Sequence, residues 1–521
     1  MLAEKKGSCF MSKESPVWKA DLGNGTYRNP ILYADYSDPD VIRTGEDYFM
    51  VASSFCNTPA IPLLHSKDLV SWKVVNYVLD RIPFPGYEKP KHGCGVWAPA
   101  IRFHDGKYWV FFPMPDEGIF QCTAEDPFGK WSDPIPVRPG SGWIDPCPFW
   151  DDDGRAYLVS AFAKSRIGFK SILHLTEMKP DGTGLLNEGE HIFDGRNTQP
   201  TIEGPKLYKK DGMYYILAPA GGVPHGWQTA LRSKNIWGPY EEKIVMMRGG
   251  SGVNGPHQGA LVDTPSGETW FLHFQDAGAC GRIIHLEPVA WEDGWPIIGK
   301  NSGDGYGTPV HIWKKPDVGR EYPACTPEDS DEFDGDSLGL QWQWNANYQK
   351  DWYALSDSHL TLFSQKHDGS LLDLPSLLLQ KFPAPEFEVT ASLETDGLAP
   401  GETAGLMVMG GVYVALAVRK EQEGISLLLI SGNEAAPDEN WKVLSAPKIS
   451  GELFFRLRVT SGERCEFSYS IDNQSFLPAG EPFITCKGRW VGAKMGMFCI
   501  SRTEGRGFLR SDFFRVTPDI K

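Results

Sequence analysis

The sequence predicts a nearly all-β chain, a five-bladed β-propeller followed by a β-sandwich. Three observations predict it. A Gly-x-x-(Tyr/Trp) signal opening an apolar run recurs five times in the first 300 residues. The chain carries 56 Gly and 40 Pro among its 521 residues, which punctuate it into many short pieces. No stretch sustains the 3.6-residue apolar period of a long amphipathic helix.

Residues 1–26 form an N-terminal extension. Met1 to Ala20 hold Lys5, Lys6, Lys13, Glu14 and Lys19 but no apolar core, so no secretory signal is visible. The propeller is expected over residues 27–313. Its repeat pairs are Gly45 with Tyr48, Gly106 with Trp109, Gly154 with Tyr157, Gly212 with Tyr215 and Gly267 with Trp270, the glycines 61, 48, 58 and 55 residues apart. Each glycine permits the positive φ of a hairpin turn, and each aromatic begins a strand-like run. Upstream of each turn lies another short strand, beginning at Asp38, Trp97, Asp145, Glu203 and His257. Hairpins at blade-like spacing suit radial repetition, which also protects the edges of short strands. A single large β-sandwich with accidental similarity is the competing architecture. The repeat stops after Trp295, and residues 314–330, broken by Pro316, Gly319, Pro323 and Pro327, read as a linker. From 331 to 521 period-two alternation returns, as in the runs from Phe387, Val412, Ile425 and Leu453, and reads as a β-sandwich.

Charge narrows the partners. With 51 Lys plus Arg against 67 Asp plus Glu the net charge is −16, which disfavours nucleic acid and anionic membrane but not a neutral oligosaccharide. No apolar run reaches the ~18 residues of a membrane span. The 10 cysteines form no CxxC pair, and several lie in apolar runs, so a reduced, cytoplasmic enzyme is expected. The 18 Trp serve core packing or flat platforms for sugar faces. A homo-oligomer is left open.

The chemistry is expected where the five inner strands open. In a propeller those positions converge on the central channel, and here they carry Asp38, Trp97, Asp145, Glu203 and His257. Carboxylates meeting in a desolvated pocket raise one another's pKa, which is costly unless acid and base roles are divided between them. Hydrolysis of a glycosidic bond needs that division. For any single Asp-Pro the plainer reading is a turn or strand-end cap; recurrence across the repeats favours a shared site.

At these residues the sequence resembles glycoside hydrolase family 43. The matching segments are Asn29-Pro-Ile-Leu with Ser37-Asp-Pro-Asp, Gly95-Val-Trp-Ala-Pro, Ile144-Asp-Pro-Cys-Pro, Ile202-Glu-Gly-Pro-Lys, and Gly281-Arg with Glu287-Pro-Val-Ala-Trp. The resemblance implies an inverting mechanism with Asp38 as general base, Glu203 as general acid, and Asp145 raising and orienting the acid. An inverting pair stands ~6.5–9.5 Å apart to admit water. It places Trp97 and Arg282 against the terminal sugar and makes Phe55 a pocket wall, where a buried loop anchor and a surface ion pair are the plainer alternatives for Phe55 and Arg282. His257 matches a histidine near the axis, beside substrate and beside a calcium or water site; no cofactor is required, and a structural calcium there is an option. The C-terminal half resembles the concanavalin-like jelly roll of the β-xylosidase branch, through Asp331-Glu-Phe-Asp and the pair Trp342 and Trp344, which read as packing residues more than as sugar platforms.

The implied activity is exo-acting release of terminal β-D-xylose or α-L-arabinofuranose from plant-derived xylan or arabinoxylan oligosaccharides. The segments Asn57-Thr-Pro-Ala-Ile-Pro and His225-Gly-Trp depart from the family pattern and are expected to border the pocket. The alternatives are a noncatalytic carbohydrate-binding protein, against which the three retained acids speak, and a retaining fructan hydrolase, whose opening motif Tyr36-Ser-Asp-Pro-Asp matches poorly. Asp151-Asp-Asp-Gly reads as a hairpin turn, since Arg155 spoils a calcium-loop pattern.

Overall fold

The computed structural model describes residues 14–445 and 451–519. Residues 1–13 of the expected N-terminal extension lie outside the described residues, as do 446–450 and 520–521. The chain is a five-bladed propeller followed by a sandwich of two sheets. Cys56, Cys94, Cys122, Cys147, Cys280, Cys465, Cys486 and Cys499 are free thiols, and no helix among the described residues is long and apolar enough to cross a membrane.

Each blade is a four-stranded antiparallel up-and-down sheet, and in the fourth the strand Glu241–Met246 is further joined, in parallel, by Gly307–Thr308. The inner hairpin of each blade is the one the repeat glycine predicts: Asp40–Thr44 with Asp47–Val51 in the first blade, Ala100–His104 with Lys107–Met114, Trp143–Trp150 with Ala156–Phe162, Lys206–Lys210 with Met213–Ala220, and His257–Asp263 with Thr269–Asp276. The turn glycines Gly45, Gly106, Gly154, Gly212 and Gly267 all have φ between 64° and 88°, and a Cβ added at any of them would meet open space, so backbone conformation rather than crowding demands glycine there. The aromatics that follow, Tyr48, Trp109, Tyr157, Tyr215 and Trp270, are buried and pack blade against blade.

The ring closes without exchanging strands between the first and last blades. Thr26–Arg28 pairs with Ile312–Lys314, and Ile31 N–H donates to Ile284 O of the last blade. Asn29 fastens the seam: Nδ2 donates to Leu286 O and Val310 O, and Oδ1 accepts Leu286 N–H. Residues 315–330 contain no strand; Lys315 ties the segment to Asp21 and Asp68, and Ser15 meets Asp329.

The sandwich stacks an eight-stranded on a nine-stranded sheet among the described residues. Their facing apolar side chains, among them Val389, Ala391, Leu406, Leu416, Phe455, Met497 and Phe514, form one core. Trp342 is buried there with its indole N–H on Asp331, and Trp344 is buried as well. Neither offers a platform to sugar.

Docking of the sandwich corrects one expectation. The segment Asn57-Thr-Pro does not border the pocket; it is the seat of the second domain. Thr58 N–H donates to Trp344 O and Trp344 N–H to Thr58 O, Thr58 Oγ1 donates to Ala346 O, and Asn57 pairs with the buried Lys494. The departure from the family pattern at these residues therefore concerns an interdomain joint. Asn347 continues it, bonding Ile82 through both ends of its amide.

Candidate active site

The five inner strands open on a shared backbone device. Asp38 (φ 55°), Ala98 (φ 23°), Asp145 (φ 55°), Gly204 (φ 60°) and Gln258 (φ 30°) are all left-handed, and each is followed by Pro or Gly: Pro39, Pro99, Pro146, Pro205 and Gly259. Four of the five are not glycine, and a left-handed residue of that kind costs about 1–3 kcal/mol, held by the surrounding structure. The kink breaks the alternation of a strand, so neighbours in sequence can face the same space. It also sets the true register. Asp38 and Asp145 occupy the kink itself, whereas Trp97, Glu203 and His257 stand one residue before it. The expectation that all five were equivalent positions is therefore off by one residue in three blades.

Both sets reach one funnel. Asp38, Phe55, Trp97, Asp145, Glu203, Gln258 and Arg282 line a single pocket of about 630 Å³ on the propeller axis, within the range of small-ligand sites. His257 is not on its wall. It is buried beneath, its Nε2 3.4 Å from Glu203 Oε1 and both ring nitrogens without a hydrogen-bond partner.

Asp38 is fixed from three directions. Arg282 Nη1 donates to its Oδ1 at 2.9 Å, while Ser37 Oγ and Ser53 Oγ each donate to Oδ2 at 2.6 Å. Arg282 Nη1 also donates to Ser37 Oγ, and Ser53 Oγ accepts the Ala98 N–H. The carboxylate can thus neither rotate nor withdraw without breaking several bonds.

Asp145 and Glu203 form the other end. Asp145 Oδ2 accepts the Gly204 N–H at 2.8 Å, which ties it to the backbone beside Glu203. A Cβ at Gly204 would come within 2.8 Å of Gln258, so only glycine serves there. Burial, and then the neighbouring charges of Glu203 and Asp38, push Asp145 up to about 7; the Gly204 N–H and Lys206 pull the other way without prevailing. This end of the funnel therefore retains a proton near neutral pH. Glu203, with a quarter of its side chain exposed, can present a proton to a ligand, whereas Asp145 is almost wholly buried.

The pocket wall draws on residues that sequence reasoning missed. Trp490 of the sandwich stands edge-on to Trp97 at 4.8 Å and lies 6.5 Å from Phe55, so two domains build one aromatic wall. Asp35 locks the joint, accepting Arg282 N–H through Oδ1 and Gly492 N–H through Oδ2. Gly222, Val223 and Pro224 line the funnel, but the following His225-Gly-Trp does not; Trp227 turns away to donate to Gln199. Asp151-Asp-Asp-Gly is a hairpin turn, with Asp151 holding Lys209 and Tyr214. Among the described residues the group of side chains spaced to share a metal is His273, His285 and Glu287, none of which lines the pocket.

With this geometry in view, residues 27–296 match the model of glycosyl hydrolases family 43. The chain belongs to that family. Residues 330–517 match the β-xylosidase C-terminal concanavalin A-like domain. A β-xylosidase of Formosa agariphila is 31% identical over 96% of this chain and 91% of its own length. A non-reducing end α-L-arabinofuranosidase of Bacteroides ovatus is 29% identical, covering 85% of each. The crystal structure of a xylan β-1,4-xylosidase from Bacillus halodurans superposes with a TM-score of 0.83 at 27% identity, over 94% of this chain and 99% of that one. The family 43 enzyme is thus a glycoside hydrolase, which sets aside the noncatalytic and fructan-hydrolase readings.

Proposed function

We propose that this family 43 enzyme removes terminal β-D-xylose or α-L-arabinofuranose from the non-reducing ends of xylan-type oligosaccharides, with inversion. The observation that carries the reading is the placement around one funnel of a firmly held carboxylate, Asp38, and, apart from it, of Glu203 beside Asp145, whose carboxyl keeps its proton up to about 7. In this mechanism Glu203 gives its proton to the leaving oxygen as the glycosidic bond breaks. Asp38 takes a proton from the water that attacks the anomeric carbon from the opposite face. Asp145, bonded to the Gly204 N–H beside Glu203, orients the acid and keeps a proton at that end of the pocket.

Arg282 holds Asp38 and offers its remaining donors to sugar hydroxyls. Phe55, Trp97 and Trp490 present apolar faces to the ring. Closure of one side by the sandwich favours a chain end over the middle of a chain. The names of the relatives support both pentoses.

A structural calcium at His257 remains a proposal. What supports it is an unpartnered ring nitrogen in a buried position next to Glu203; His257 would give one nitrogen ligand, water oxygens would have to complete the roughly six to eight that calcium takes, and the ion would supply positive charge on the axis. Assaying 4-nitrophenyl β-D-xyloside and 4-nitrophenyl α-L-arabinofuranoside side by side tests the main reading. Turnover of at least one supports it, and inertness towards both, together with inertness towards xylo-oligosaccharides, overturns it.

A further inference from the structure

The pocket opposes the composition of the chain. The protein has a net charge of −16, yet five cations, Lys164, Lys170, Arg282, Lys487 and Arg489, line the funnel beside four carboxylates. Two of these cations are committed: Arg282 to Asp38 and Lys487 to Asp276. Lys164, Lys170 and Arg489 have no ion-pair or hydrogen-bond partner for their side chains among the described residues; Lys164 and Arg489 are exposed and Lys170 is half-buried, whereas Asp38 and Asp145 of the same pocket are buried.

The backbone that carries them is held in place. Lys164 opens the short helix Lys164–Ile167 of the third blade, and Lys170 lies in the loop after it. Arg166 of that helix donates to Gly93 O at 3.2 Å and to both oxygens of Asp116, and it lies over Trp97 at 5.0 Å. From the sandwich side, Arg489 packs on the same Gly93, where an added Cβ would come within 2.7 Å of its Cδ, and it stacks on Trp490 at 5.0 Å. The two basic loops thus meet at Gly93, and the stem of Arg489 packs there while its guanidinium pairs with no anion among the described residues.

We infer that the mouth of the pocket is a subsite for an anionic group on the leaving part of the substrate, a uronate carboxylate or a sulfate ester. The inference rests on the exo-acting reading above. If the terminal sugar sits on the floor among Asp38, Asp145 and Glu203, everything beyond the scissile bond must leave between the loops bearing Lys164, Lys170 and Arg489. A neutral chain has no use for three unpaired cations there. An acidic one gains charge-assisted bonds and faster encounter, against the repulsion of the rest of the surface.

The test compares kcat/KM for three xylo-oligosaccharides of equal length, with a neutral, a uronate-bearing or a sulfated penultimate sugar. Three partly exposed pairs predict a preference of roughly three- to thirtyfold for one or both anionic forms, most of it lost at about 0.5 M salt. The combined Lys170→Ala and Arg489→Ala variant should lower the ratio of acidic to neutral kcat/KM towards one, and Lys170→Glu with Arg489→Glu should carry it below one. Which anionic substrate is preferred identifies the source of the charge. Cleavage of all three at equal efficiency, or a preference that neither variant alters, overturns the inference. Failure of the wild type to cleave even the neutral substrate would count instead against the proposed function.

Discussion

Replacing Asp145 with asparagine is expected to stabilise the protein while impairing it. The folded state holds the Asp145 proton up to about 7, against an ordinary value of 3.8, because of burial and the charges of Glu203 and Asp38. Between those two values the folded chain binds more proton than the unfolded one, so stability falls as pH rises through the window. Below pH ~4 both states are protonated and the penalty vanishes; above pH ~7 it is complete. A displacement of about three pH units corresponds to a ceiling of about 4 kcal/mol. Asparagine keeps the shape and can still accept the Gly204 N–H, but carries no charge. Thermal melts from pH 4 to pH 8 should show wild type and Asp145→Asn together at the acid end. The variant should become more stable by several degrees at the alkaline end. In activity the sign reverses: with no carboxyl bonded to the Gly204 N–H beside Glu203, kcat/KM should fall by about tenfold or more. Parallel melting curves across the whole range, with unaltered kcat/KM, would refute the reasoning.

Three further outcomes are expected. Glu203→Gln should reduce kcat on unactivated xylo-oligosaccharides by ~10²–10⁴-fold or more, with a much smaller loss on aryl glycosides whose leaving groups need no proton; equal losses on both, measured in steady state, would place the acid elsewhere. Trp490→Ala should lower kcat/KM for oligosaccharides by about tenfold or more through lost apolar contact and poorer positioning, with an unchanged melting profile; unaltered kinetics would remove the sandwich from the binding site. Stripping the protein with EDTA and returning calcium should raise its melting temperature, and a His257→Ala variant should not respond; a flat response in the wild type would retire the ion.

Much of the fold was legible because propeller hairpins are local objects. Gly45, Gly106, Gly154, Gly212 and Gly267 sit in turns that need positive φ, and the aromatic three residues on fills the space between blades, so each unit announces itself within a dozen residues. Asp38, Asp145, Glu203 and Trp97 were legible as pocket residues because they open the inner strands, and Phe55, in the loop after the first hairpin, only through the resemblance to the family. Their register was not, since it depends on a left-handed kink that leaves no mark on the kinked residue itself: aspartate, alanine, glycine and glutamine all occupy it. The Pro or Gly that follows in every blade was the available signal.

Residues beyond the repeat were harder to read. Trp490 and Arg489 reach the funnel from the sandwich across more than 190 residues of sequence, and Asp35 joins the backbones of Arg282 and Gly492 over a gap that no local pattern encodes. The misplacement of Asn57 has the same origin. A polar loop reads alike whether it faces a ligand or a second domain, and only the pairing of Thr58 with Trp344 decides between them.

The division of labour between Asp38 and Glu203 is tested most directly by proton NMR of the first sugar released from a β-D-xyloside. If a water held by Asp38 attacks the face opposite to the bond that Glu203 protonates, the α-anomer appears first and the β-anomer grows in only by mutarotation. A first-formed β-anomer would mean a covalent intermediate and would contradict the account.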